Sequence, residues 1–548
     1  MNRLIHATSL YYCYIQIFEC FYVTTIPPNC QTGLYDDGSY QIWLGGVYQQ
    51  AVSSEAARYV GSVVNWICRY FHQDLIRGQD EENRIQSGCM HSAKFRYNCT
   101  MPALSLRATP AQPTVGLLSE PQVCYLLLTI GSTSDASAQP VNWAFVADAS
   151  RSMRIPIVDE AQFRALIREG GAQEVLVDGV PVWQLSSPVP ADVRAAASNA
   201  LDYVARALHS IVERLDGNDR FALIACAEEA VVLNRSTSGA ARAELARGIG
   251  RLASLNLGEQ TDLARGIERA IDELRQGRQG STSRIDRLLL LTDGFTQNPE
   301  ACLALASAAA ADGIAISTIG LGGEFQDEVL TALADRSGGR ALFLHTPDEI
   351  PRAIAAELEA SRNASAHAVS LTITPGDGML LRRVTQIRPT LTTLHETNTL
   401  QPVSLVLGDL AAKAQISVLL EFLVVPRPAG CATLAEFALA TANGPERSTK
   451  LDVCYQASVP AAPAELLDAA ARAAAARLQR RAQAQAAAGS LAEAARLMRA
   501  AATRFEALGE RELSVIAREQ AENFEQGRAA NALITKQLTY ATRRLGET

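Results

Sequence analysis

Residues 142–153 read Asn142-Trp-Ala-Phe-Val-Ala-Asp148-Ala-Ser150-Arg-Ser152-Met153. The first six make a short apolar run suited to a strand buried on both faces, and the polarity changes abruptly at Asp148. Past that point an extended loop is expected, with residues 148, 150 and 152 on one side and 149 and 151 on the other. One carboxylate and two hydroxyls then converge beyond the end of a strand. Two more oxygen donors stand at comparable places. Thr261 lies in Gly258-Glu-Gln-Thr-Asp262, a loop that precedes a helix, and Asp293 follows Leu288-Leu-Leu-Leu-Thr292, an apolar strand. Mg²⁺ prefers octahedral oxygen coordination and takes only one or two carboxylates from a protein. Asp148, Ser150, Ser152, Thr261 and Asp293 supply that set, so Mg²⁺ or Mn²⁺ is the expected cofactor.

Outward from these runs, strands and helices alternate. Ala191 to Leu215 carries an amphipathic helix pattern, and Arg220 to Leu233 reads as two strands joined at Glu228-Glu229. Ala240–Leu255 and Asp262–Gly277 are helices on either side of Thr261. There follow a strand at Ile285–Thr292, an Ala-rich helix at Pro299–Gly313, a strand at Ile314–Leu321, a helix at Asp327–Gly338 ended by glycine, and a last strand at Arg340–His345. The expected fold is α/β, a doubly wound, mostly parallel sheet covered on both faces. Ligands on such sheets bind past the carboxyl ends of the strands where strand order reverses, and all three runs lie at strand ends or loops of that kind.

The pattern Asp148-x-Ser150-x-Ser152, then Thr261, then Asp293 resembles the metal-ion-dependent adhesion site of von Willebrand factor type A (VWA) domains. The resemblance spans about residues 142 to 360 and extends to Met153 and Gly294. It implies that the two serines and the threonine lie around the metal, that the aspartates often act through water, and that an Asp or Glu of a protein partner completes the shell. One departure is Arg151, where the family usually has Gly between the serines; the alternation turns this residue outward. Many larger bacterial and eukaryotic proteins with A domains resemble the arrangement of this chain, which reads as a bacterial-type multidomain member.

Five regions follow. Residues 101–140 and 365–456 carry alternating apolar and polar residues, as in Cys124-Tyr-Leu-Leu-Leu-Thr-Ile130 and Gln415-Ile-Ser-Val-Leu-Leu, and read as one β-sandwich split by the A domain at 141–360. Within the latter, residues 154–190 form an insertion with a short helix at Asp159–Glu169 and a hairpin turning at Asp178-Gly179. Because it leaves directly from the loop of Ser152, it is expected to act as a lid or specificity element. Arg151, Asp159, Glu160 and Trp183 are then the side chains expected to touch a partner. Residues 464–545 form a helical C-terminal segment, expected as three helices, in which Leu491, Ala495, Met498, Ala502, Phe505 and Leu508 share one face.

The first hundred residues are unlike the rest, with ten of fourteen tyrosines, six of eleven cysteines and five alanines. They lack a clean signal-peptide pattern, and the expectation is an extension, misassigned or disordered, ahead of a natural start at Met101. The remaining cysteines, at 124, 226, 302, 431 and 454, read as reduced core residues of a cytoplasmic protein, with a cross-strand pair of Cys431 and Cys454 left open. Secretion is the alternative if the first hundred residues are genuine. The net charge of −8 suits a soluble protein, and no apolar run reaches the length of a membrane span. No basic stripe interleaved with aromatics points to nucleic acid.

Phosphate loops, nucleophile elbows and kinase motifs are absent from the sequence, and Gly320-Leu-Gly-Gly323 reads as a turn between strand and helix. The expected function is therefore a binding module and not an enzyme, with the ion bridging to Asp or Glu on a partner such as an AAA-type ATPase or a signalling protein. The alternatives are a hydrolase using the same ion to activate water, for which no general base is evident, and a structural A domain that has lost its metal.

Overall fold

The computed structural model describes residues 104–132, 139–155, 157, 164, 167–168, 171–177, 180–185, 198–278, 285–323, 325–441, 444–528 and 531–546, with two short strands before them. These two, β1 (Thr32–Leu34) and β2 (Tyr40–Ile42), pair antiparallel within a unit spanning residues 1–98. The other expectations for residues 1–100 lie outside the described residues.

The second unit, residues 99–548, opens with β3 (Leu104–Thr109), β4 (Thr114–Gly116) and β5 (Gln122–Ser132). The α/β region follows as β6 (Val141–Asp148), β7 (Ala172–Val177), β8 (Val180–Leu185), α1 (Ala200–Arg214), β9 (Arg220–Cys226), β10 (Ala230–Ser238), α2 (Arg242–Leu252), α3 (Leu263–Gly277), β11 (Ile285–Thr292), α4 (Pro299–Ala311), β12 (Ala315–Leu321), α5 (Asp327–Ser337), β13 (Ala341–Leu344) and α6 (Ile350–Arg362). Its six-stranded sheet has the order β10-β9-β6-β11-β12-β13, parallel except for β10. From β6 the chain winds outward through β9, then returns to place β11 on the other side of β6. The strand order thus reverses between β6 and β11.

Every residue of β6, β11 and β12 is buried. Their alternate side chains feed two cores. Phe145, Leu289 and Leu291 pack with α1, α2 and α6, while Val146, Leu288 and Leu290 pack with α3, α4 and α5. Helix α1 starts at Ala200 because Asn199 and Asp202 form a reciprocal capping box. The expected start at Ala191 falls in a stretch, 186–197, outside the described residues. Helix α6 was not in the sequence reading at all. The hairpin β7-β8 pairs Val177 with Val180 across residues 178–179.

The chain continues with β14 (Ala364–Pro375), β15 (Met379–Arg388), β16 (Thr392–His395), β17 (Val403–Ala411), β18 (Gln415–Val424), β19 (Gly430–Thr441) and β20 (Gly444–Gln456). Two five-stranded sheets result, β17-β14-β19-β20-β4 and β16-β15-β18-β5-β3. Each mixes strands from before and after the α/β region, which is therefore an insertion in a β-sandwich. Leu126, Leu128, Val418, Leu420, Leu371 and Phe437 fill the space between the sheets. Cys431 and Cys454 stand opposite each other on β19 and β20 and form a disulfide. The reading of five reduced cysteines is corrected to three, Cys124, Cys226 and Cys302, all buried.

The tail consists of α7 (Ala464–Ala487), α8 (Leu491–Ala507), α9 (Arg511–Glu525) and α10 (Ala532–Arg543), four helices in place of the expected three. Met498, Phe505 and Phe524 form its core, which continues onto the sandwich through Leu127, Ile387 and Leu419. No helix among the described residues is long and apolar enough to cross a membrane.

Candidate functional site

The strand order reverses between β6 and β11, where a doubly wound sheet has its ligand crevice, and the five oxygen-bearing residues gather at the carboxyl ends of these strands. Asp148 ends β6 and is fully buried. Its Oδ1 accepts from the Ser150 amide at 2.8 Å, its Oδ2 from Thr292 Oγ1 at 2.5 Å, and both oxygens from Thr261 Oγ1 at 3.3 and 3.2 Å. Ser150 Oγ lies 3.0 Å from Ser152 Oγ, and Ser152 Oγ donates to Asp293 Oδ1 at 2.6 Å. A Cβ placed on Gly294 would stand 3.8 Å from Thr261 Oγ1 and 4.0 Å from Ser152 Oγ, so all three loops meet at one point.

The first loop is not extended throughout. Arg151 adopts right-handed helical angles, φ −59° and ψ −38°, and residues Ser152–Arg154 make one 3-10 turn. Met153 is fully buried beneath it, while Arg154 donates to the carbonyls of Leu255 and Gly258, each at 3.2 Å. The expected alternation holds for Ala149, which is buried in the core, but the second serine is brought round by the turn. Because φ at Arg151 is negative, the position makes no demand for glycine. Its guanidinium leaves the crevice to pair with Glu259 at 3.0 Å, both side chains being largely exposed.

Thr261 is held by a short parallel bridge to Thr296, by Gln297, whose amide donates to its carbonyl at 3.0 Å, and by the start of α3 directly after it. The loop before it turns at Gly258, whose φ of +115° favours glycine. Thr292 is a site residue that the sequence reading passed over. It is fully buried, binds Asp148, and accepts the Gly294 amide at 3.2 Å. In the sequence it is only a hydroxyl that follows four leucines at the end of β11. Of the residues expected to touch a partner, Asp159 and Glu160 lie outside the described residues, and for Trp183 only the backbone in β8 is described.

Electrostatically, Asp148 stands apart. Burial pushes its carboxyl above the usual carboxylate range, against the hydrogen bonds from Thr292, Ser150 and Thr261 that pull it down. All those partners are neutral. Among the described residues there is no cluster of three or more His, Cys, Asp or Glu side chains, so the donors here are chiefly hydroxyls. In an octahedral shell with metal–oxygen distances of about 2.0–2.1 Å, neighbouring oxygens stand about 2.9 Å apart. The serine hydroxyls stand 3.0 Å apart, a hydrogen-bond distance that is also close to that edge. The residues present thus fit a small, hard divalent cation.

The family model of the von Willebrand factor type A domain matches residues 195–355, a segment that holds Thr261 and Asp293 and begins after the Asp148 loop. The inserted α/β region is a VWA domain. A solved von Willebrand factor type A protein from Catenulispora acidiphila has the same fold over 82% of this chain and 98% of its own, at a TM-score of 0.61 and 14% identity. Outside the VWA domain, residues 464–548 match the Sll0103-like C-terminal alpha-helical domain. The uncharacterized protein sll0103 of Synechocystis sp. is 26% identical over 151 residues, 27% of this chain. That match spans 34% of the relative's length. Proximal thread matrix protein 1 of the mussel byssus, solved with a zinc-occupied MIDAS motif, is a more distant match, covering 44% of this chain and 48% of its own at 16% identity and a TM-score of 0.30. VWA domains mediate protein–protein interaction.

Proposed function

We propose that the crevice between β6 and β11 holds one divalent cation, Mg²⁺ or Mn²⁺, and that the protein uses it to grip a carboxylate on a protein partner. The observation that carries this reading is Asp148, a fully buried carboxylate with only neutral partners, set beside three hydroxyls. A buried charge without a counter-charge is costly, and a cation at this place removes the cost. When bound, the ion supplies a positive centre with an open oxygen-binding position.

The residues of this chain do the remaining work. Ser150, Ser152 and Thr261 offer hydroxyl oxygens, and Asp293 fixes the direction of the Ser152 hydroxyl. Thr292 holds one oxygen of Asp148. The site offers two carboxylates and three neutral hydroxyls, so a dication bound there would meet few strong anionic ligands at once and would keep an open position for an acidic partner side chain. Ser152 is exposed, which leaves the crevice open on the side a partner would approach. Partners of the class expected from the sequence, an AAA-type ATPase or a signalling protein, fit through such an acidic side chain.

Calorimetric titration of Mg²⁺ and Mn²⁺ into the full chain, beside its Asp148→Ala variant, tests the reading. One-site saturation in the native chain, abolished in the variant and by chelator, is the expected result. Absence of saturable binding in the native chain overturns it, and metal-dependent turnover of phosphate esters would move the site to the hydrolase class.

A further inference from the structure

Helix α10, the last of the tail, docks on the VWA domain beside the cation crevice. Lys536 is almost wholly buried, and its Nζ donates to the carbonyls of Gly323 at 2.5 Å and Phe325 at 2.6 Å while standing 4.1 Å from the centre of the Phe325 ring. A buried ammonium needs such partners, so the contact is specific to this segment after β12. Tyr540 packs against Phe325 and Phe343 with ring centres 6.4 and 5.5 Å away. One turn further on, Arg543 grips both oxygens of Asp335 on α5, at 2.9 and 2.5 Å. Gly320 makes the room, since a Cβ there would stand 2.4 Å from the Phe325 ring.

The segment that Lys536 holds is joined to the crevice. Thr292 and Gly320 are paired across β11 and β12, so the two strand ends lie side by side. Gln326, next to Phe325, accepts the Thr296 amide at 3.1 Å through its side chain. Thr296 is buried, accepts the Leu263 amide at 3.1 Å, and is bridged to Thr261. Lys536 therefore reaches, through Phe325, Gln326 and Thr296, both the residue after Asp262 and the loop that begins at Asp293.

We propose that Lys536 is a positioning residue for the cation crevice, and that α10 is a latch whose docking and cation binding favour each other. This rests on the cation reading above. Release of α10 frees the Phe325–Gln326 segment, slackens the loop of Thr296, and lets Asp293 and Thr261 drift from Ser152 and Asp148. By linkage, the cation tightens α10 by the same factor as α10 tightens the cation. Whatever pulls the helical tail away thus weakens the grip on the partner's carboxylate.

The test uses the full chain, its Lys536→Met and Gln326→Ala variants, Mg²⁺ alone as the probe, and hydrogen exchange read by mass spectrometry. Without metal, both variants are expected to exchange faster at residues 293–298 while β18 of the sandwich is unchanged. Mg²⁺ affinity should fall about tenfold in each, within the usual range of coupling between sites. In the native chain Mg²⁺ should slow exchange in 532–543, and in Gln326→Ala it should no longer do so although α10 stays docked. Gln326→Ala keeps the test decisive if Lys536→Met fails to fold. Native Mg²⁺ affinity and native exchange at 293–298 in folded Gln326→Ala overturn the proposal. Should the native chain bind no Mg²⁺, the cation reading falls, and the metal-free exchange at 293–298 still decides the mechanical link.

Discussion

At the residue scale, the crevice depends on how one buried carboxylate is held. Asp148 takes its shortest hydrogen bond from Thr292, which lies wholly inside the protein. Thr292→Val keeps the shape and removes the donor, leaving a buried acceptor short of a partner. The expected loss is about 1–3 kcal/mol of unfolding free energy in the presence of chelator, read by urea melts. A melt equal to native would mean that Asp148 is satisfied without Thr292. That Asp148, Ser150, Ser152, Thr261 and Asp293 come together was legible, because Asp148 and Asp293 each break off an apolar strand and Thr261 precedes a helix. Thr292 was not, because a single hydroxyl at a strand end carries no pattern; only the neighbouring carboxylate, distant in sequence, gives it a role. The 3-10 turn at Ser152 was equally hidden, since it depends on Met153 finding a place in the core.

At the element scale, the position of α3 is fixed by a glycine. A Cβ on Gly266 would stand 2.8 Å from Val146 and 3.0 Å from Cys226, both in the interior of the sheet. Gly266→Ala must therefore lift α3, and with it Thr261 at its start, away from β6. Overpacking of this kind costs about 1–3 kcal/mol. Thermal unfolding should show that loss, and Mg²⁺ should shift the midpoint less than in the native chain; an unchanged midpoint would show that the helix slides without cost. Strand order and the alternation of helices were readable from buried apolar runs, as in Leu288–Leu291. Helix α6 was missed because Pro351 reads as a breaker, whereas in the first turn of a helix it removes no needed donor. The start of α1 was blurred for the opposite reason, since an Ala-rich stretch before Asn199 continues the helical composition.

At the scale of the whole molecule, the VWA domain and the sandwich share a buried polar seam. Arg287, at the start of β11, pairs with Asp409 of β17 and lies 3.2 Å from Nδ1 of His367 on β14. Burial, together with the Arg287 charge, lowers the His367 pKa from 6.5 to about 3, Asp409 being already claimed by the arginine. The folded state therefore refuses a proton that the unfolded chain accepts. Stability is complete above about pH 6.5 and declines as the pH falls towards 3, by at most about 1.4 kcal/mol per unit. Urea melts at pH 7 and pH 5 should show this slope, and His367→Asn should flatten it; equal slopes in both proteins would rule it out. The split sandwich was legible from two strand-rich stretches on either side of the metal runs. The disulfide was not, because it needs the register that places Cys431 opposite Cys454, and register lies in the hairpin and its bulges. The same split has a consequence in time. Strand β5 leaves the ribosome long before its neighbour β18, which pairs Gln415 with Gly131. At about 5–20 residues per second, Leu126 and Leu128 wait roughly 15 to 60 seconds for their partners. The inserted VWA domain emerges whole during that interval and can fold first. The sandwich is then closed around a finished guest, and until it is the chain must shield the edge of β5 that faces β18, β5 being paired meanwhile with β3 alone.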